Sequence, residues 1–80
     1  MLYARYAHPN NGYPDDRQEV SETLEVGKRY LVESIDMGQS YTSIFLDGFM
    51  RCFNSVYFEF EEEDYTPVDI FSDPRYNRYM

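Results

Sequence analysis

Tyr41-Thr42-Ser43-Ile44-Phe45-Leu46-Asp47-Gly48-Phe49-Met50-Arg51-Cys52-Phe53 is the stretch on which the fold turns. Two runs of β-branched and aromatic residues flank Asp47-Gly48, a dipeptide that tolerates the positive φ of a two-residue type I′ turn. The segment therefore predicts an antiparallel hairpin. Thr42, Ile44 and Leu46 share one face of its first strand, and Phe49, Arg51 and Phe53 share one face of its second.

Downstream, Asn54-Ser55 predicts a tight turn into Val56-Tyr57-Phe58-Glu59-Phe60-Glu61-Glu62-Glu63-Asp64. Alternation there puts Val56, Phe58 and Phe60 on a core face and Tyr57, Glu59 and Glu61 on the opposite one. Residues 65–71 read as a short edge strand, because Pro67 has no amide donor for a ladder. Ser72-Asp73-Pro74 sets a cap candidate before a helix-starting proline, so residues 72–80 are expected to form a tail with one terminal helical turn. Upstream, residues 24–35 carry a strand bent at Gly27 and closed by a turn at Asp36-Met37-Gly38-Gln39, and residues 2–7 make a first strand. Between them, residues 8–23 hold Asn10-Asn11-Gly12 and Pro14-Asp15-Asp16, and Val20 with Leu24 supplies at most one helical turn. A long loop is expected over that span.

Eighty residues make one domain, 1–80, with a small core. Nine Tyr and six Phe suit that limit, since each ring hides roughly 150 to 250 Å². The single cysteine, Cys52, excludes an intramolecular disulfide and reads as a half-buried thiol in a reducing compartment. No apolar run approaches the roughly 18 residues of a membrane span, and the N-terminus has no signal pattern, so a cytoplasmic chain is expected. Formal net charge is −8. It opposes direct nucleic-acid binding, which depends on Lys and Arg displacing counterions. The field is uneven: residues 1–58 hold eight acids against five bases, and residues 59–80 hold seven against two.

Catalytic and metal readings find little support. His8 is the only histidine and precedes Pro9, and a Cys52–His8 pair would have no third group to orient it. Gly27-Lys28 stands outside the glycine-rich strand-to-helix setting of a phosphate loop. Glu61, Glu62, Glu63 and Asp64 offer hard oxygens, yet they do not have the glycine and alternating spacing that wrap a chain around calcium. No enzyme activity, cofactor or metal is expected.

Residues Leu24-x-Val26-Gly27-Lys28-x-Tyr30-x-Val32, then Asp47-Gly48, then Phe53-Asn54-Ser55-Val56-x-Phe58-Glu59 resemble a pattern of small phage and mobile-element proteins with SH3-like barrels. The resemblance covers residues 24–61 and implies a mainly β fold: a small SH3-like antiparallel β-barrel with a long N-terminal loop and a short C-terminal helical turn. In size and charge the chain is also similar to acidic phage inhibitors of the anti-CRISPR kind, which occupy nucleic-acid grooves. Successive outward residues of a strand recur about every 6.6 Å, close to the phosphate spacing of one nucleic-acid strand. Glu59, Glu61 and Glu63 are therefore expected to present a DNA-like row, with Glu62 and Asp64 beside them and Tyr57 and Tyr65 as aromatic flanks. The structural explanation of the same acids is a solubilising guard on a sheet edge. The expected function is a non-catalytic acidic protein-interaction module, a phage inhibitor of a CRISPR or restriction nuclease, whose partner is a basic protein surface. The alternative is a self-associating structural module, for which a homodimer is the first form to test.

Overall fold

The structure is a computed structural model that describes residues 1–76. Strands β1 (Leu2–Tyr6), β2 (Arg29–Met37), β3 (Thr42–Leu46), β4 (Cys52–Asn54), β5 (Phe58–Glu62) and β6 (Pro67–Val68) are joined by one helix, α1 (Pro14–Thr23), and a 3-10 turn at Ser55–Tyr57. All neighbouring strands are antiparallel, in the order β4-β3-β2-β1-β5-β6. The mainly β expectation holds. Closure does not: β4 and β6 remain edges, so the sheet is bent but open. With three and two residues, and with a proline in β6, these edges have few backbone groups with which to complete a ladder.

The bend has a specific origin. Val32 pairs with Leu46 and Ser34 with Phe45, so Glu33 is an extra residue in β2. Such a bulge kinks a strand and increases its twist. The first part of β2 (Arg29, Tyr30, Leu31) pairs with β1, and the part from Val32 onward pairs with β3. One long strand thus serves both halves of the sheet. Inward residues follow the alternation expected of it: Leu2, Ala4 and Tyr6 from β1, Ile35 from β2, Thr42, Ile44 and Leu46 from β3, and Phe58 and Phe60 from β5 are buried. Phe53 links Phe49 to Phe58 by edge-on ring contacts with centroids 5.8 and 6.3 Å apart, a geometry aromatic quadrupoles favour.

Four local expectations are corrected. Residues 8–23 are not all loop, because α1 starts with Pro14 at its first turn and Asp15 and Asp16 behind it, both favourable to the positive end of the helix. Only Val20 of the helix is buried, with Leu24 capping its end, so no apolar stripe announced it. The second strand begins at Arg29 rather than Leu24. The hairpin forms, but Phe45 faces Cys52, so its loop is longer than two residues. Gly48 has φ 89 and Asp47 does not share its positive φ. Phe49 N donates to Leu46 O at 3.2 Å across them. One positive φ at the third position is the type II pattern, not type I′. At the C-terminus, Tyr76 N donates to Asp73 O and the Asp73 carboxylate accepts from Arg75 N, a start of the expected turn. Its remainder, including Tyr79 and Met80, lies outside the described residues.

Candidate functional site

The acidic strand decides how much of the expected site is presented. Asn54 accepts a bond from Val56 N through its side chain and so starts the 3-10 turn at Ser55. That turn breaks the period of two before β5 begins. Val56 is consequently 41% exposed and Tyr57 is 0% exposed, the reverse of the expected faces. Tyr57 cannot flank a binding surface. Its hydroxyl donates to the Asp16 Oδ2 at 2.7 Å, while the Arg51 guanidinium donates to Oδ1 of the same carboxylate at 3.1 Å. The Tyr57 bond holds Asp16 below the usual carboxylate range despite some desolvation. Burial, reinforced by the charged Asp16 beside it, pushes the Tyr57 hydroxyl well above an ordinary phenol.

From Phe58 onward alternation returns, and Phe58 and Phe60 are buried as expected. Glu59 faces outward opposite Arg5 in the ladder, and its carboxylate lies 3.0 Å from His8 Nε2. Glu61 is different. Its side chain is only 12% exposed, Arg5 donates to its Oε1 at 2.6 Å, and Arg29 Nε lies 2.8 Å from the same oxygen. That second approach is close in distance yet is not aligned as a hydrogen bond, so we count it as a charge contact. Glu62 meets Arg75 at 2.7 Å. Asp64 is tied to the side chain and amide of Thr66, which hold its carboxyl below the usual range. Glu63 is exposed, and its backbone carbonyl accepts from Arg29.

Tyr65 completes the cluster. It is the one non-glycine with positive φ among the described residues, at 72°. Its amide donates to Glu62 O and Glu62 N donates to Thr66 O, a tight β5–β6 loop whose last residue must be left-handed. This strained backbone lays the Tyr65 ring 4.0 Å from the Arg29 guanidinium, whose other side meets Tyr3 at 4.2 Å. One face of the Tyr65 ring is therefore engaged within the molecule, and the rest of the side chain is exposed. Of the seven expected residues, Glu59, Glu63 and Asp64 remain outward carboxylates, Glu62 is shared with Arg75, Glu61 belongs to an internal arginine clamp, Tyr57 is buried, and Tyr65 lays its ring against that clamp while staying 61% exposed. The continuous row of Glu59, Glu61 and Glu63 is interrupted at its centre.

Arg5, Arg29, Arg51 and Arg75 all pair with acids of the same chain, and Lys28 lies near Glu25. Asp15, Glu22, Glu33, Asp36, Asp47 and Glu63 are exposed and make no ion pair among the described residues. Internal pairing absorbs most of the cations and leaves the outer field negative. No group of three or more His, Cys, Asp or Glu is placed to hold a metal ion among the described residues. No helix among them is long and apolar enough to cross a membrane. No sequence pattern announces the Asp16–Tyr57–Arg51 network, since its members are far apart in the chain and alternation points Tyr57 outward.

A family model described as Bacteriophage T4 protein Y07B matches residues 1–80. Neither a curated protein nor a solved structure matches the chain.

Proposed function

Because the chain belongs to the bacteriophage T4 protein Y07B family, we propose that it is a non-catalytic, acidic interaction module of a phage that docks on a basic protein surface. The observation that carries this reading is the internal pairing of Arg5, Arg29, Arg51 and Arg75 with acids of the same chain. Fifteen acids face seven bases, and the ion pairs described above leave the excess carboxylates to set the field at the surface. A body of this sign attracts cationic partners over about a Debye length and repels nucleic acid. In its specific form the module is an inhibitor that covers the nucleic-acid groove of a host CRISPR or restriction nuclease. With Glu61 withdrawn, contact through the acidic edge rests on Glu59, Glu63 and Asp64.

The test is an affinity pull-down from a host lysate with the full chain, at low and high salt, beside a Glu59→Lys, Glu63→Lys, Asp64→Lys variant. A basic protein retained at low salt, reduced at high salt and lost with the triple variant supports the reading, and DNA should compete for that protein. Retention indifferent to salt and to charge reversal would overturn it. So would a stable dimer in light scattering that retains no host protein and dissociates when the chain ends after Phe71.

A further inference from the structure

We propose that the groove between the loop entering α1 and the β2–β3 turn is the docking site for an extended partner segment that sets an apolar side chain beside a Lys or Arg. The proposal rests on the module reading above and gives it a second, distinct surface. The groove encloses about 730 Å³. One wall is Gly12, Tyr13 and Pro14, the other Gly38 to Thr42, and the 3-10 turn lies between them.

Its apolar content is unusual for a solvated surface. Nine large apolar side chains are exposed among the described residues, and Tyr13, Tyr41, Val56 and Phe71 all line this one groove. Tyr13 is 80% exposed and Tyr41 56% exposed. Rings held in the open on opposite walls are a costly arrangement in water, and converging exposed apolar groups mark interaction sites. Tyrosine also supplies contact area with few rotatable bonds.

The walls are held in place before any partner arrives. Asn11 Nδ2 donates to Val56 O at 3.2 Å, tying the entry loop to the 3-10 turn. Gly38 N donates to Tyr41 O at 3.1 Å, and a Cβ at Gly38 would meet that same carbonyl at 2.9 Å. Pre-formed walls reduce the ordering cost of binding.

Charge selects the occupant. No charged side chain of either sign lines the groove itself. Asp36 lines the adjoining depression with Gly38 to Tyr41, and the exposed Asp15 follows Pro14. Arg17, the nearest cation in sequence, has a guanidinium donor turned to the Asn10 carbonyl. Apolar walls beside the Asp36 carboxylate of the adjoining depression suit a segment with an aliphatic side chain next to a cation, whose charge would also meet the tyrosine faces. Gln39 and Ser40 on one wall can bond to an extended backbone.

The experiment titrates the isotopically labelled full chain with two synthetic dodecapeptides of Pro, Leu and Ser that differ only in carrying Arg or Glu at the same positions. The Arg peptide should move the amides of Gly12, Gly38 to Tyr41 and Val56 saturably, and the Glu peptide should not. A Tyr13→Ala, Tyr41→Ala double variant should retain the dispersed spectrum, since both rings are exposed, and weaken the Arg peptide at least about tenfold. The Glu63→Lys variant should leave that affinity unchanged. Absence of saturable shifts, shifts centred elsewhere, equal binding of the Glu peptide, or full affinity in the double variant would each overturn the groove assignment. These failures are separable from those of the module reading: a host protein lost with charge reversal but bound fully by the tyrosine variant sinks the groove alone.

Discussion

The Tyr57 hydroxyl donates to the Asp16 carboxylate at 2.7 Å, joining the 3-10 turn to the helix across 41 residues of sequence. A ring buried completely in the core thereby reaches a charged group at the surface, and Arg51 neutralises that group from the other side.

Tyr57→Phe should lower unfolding stability by about 1.5 to 3 kcal/mol, the range for hydrogen bonds to charged groups. The loss should depend on pH. Asp16 is held low in the folded chain, so its contribution is present above the unfolded carboxyl value and disappears as pH falls through the folded one. The Tyr57 hydroxyl is pushed up, so its contribution is present below the unfolded phenol value of 10.0 and fades as pH rises beyond it. Urea midpoints should therefore separate wild type from variant most at neutral pH and converge at both extremes.

Gly12→Ala should destabilise by about 1 to 3 kcal/mol, because a Cβ there overlaps the Tyr57 ring and hydroxyl, which have no room to retreat in the core. Thermal unfolding of the variant would show it, and an unshifted melting temperature would mean that the loop yields instead.

At Glu61, substitution by Gln leaves Arg5 and Arg29 beside a neutral amide in a partly enclosed site. A loss of about 1 to 3 kcal/mol follows from the unmet charge, and Glu61→Lys should prevent folding. Chemical denaturation with and without added salt reads the effect, since Arg29 is poorly exposed and weakly screened.

Tyr65→Ala and Tyr65→Gly should differ in an unusual direction. Both lose the ring over Arg29, but glycine relieves the left-handed backbone, worth about 1 kcal/mol. The glycine variant should be the more stable of the two in denaturant titrations, and the opposite order would refute strain at this position.

Phe53→Ala should remove the link between Phe49 and Phe58 and cost about 3 to 5 kcal/mol. On a domain this small, circular dichroism should show most of the variant unfolded at ambient temperature.

Alternation makes the strands legible: period alone puts Thr42, Ile44 and Leu46 on one face and Phe58 with Phe60 on a core face, and all five are buried. What hid the rest was local and physical. The helix rests on one buried valine, so its sign lay in Pro14, Asp15 and Asp16 rather than in an apolar stripe. Three residues of 3-10 turn rotated Val56 outward and Tyr57 inward, which no strand pattern records. Glu61 reads as exposed in the sequence because its two arginines arrive from β1 and β2, and pairing between distant strands is invisible in a run of acids.

The ladder that sets Leu2 against Glu62 also governs how the molecule comes into being. β1 sits between β2 and β5, so one of its flanks stays uncovered until residues 58–62 have been made. A product stopped short of Phe58 would leave that flank open for proteases to find.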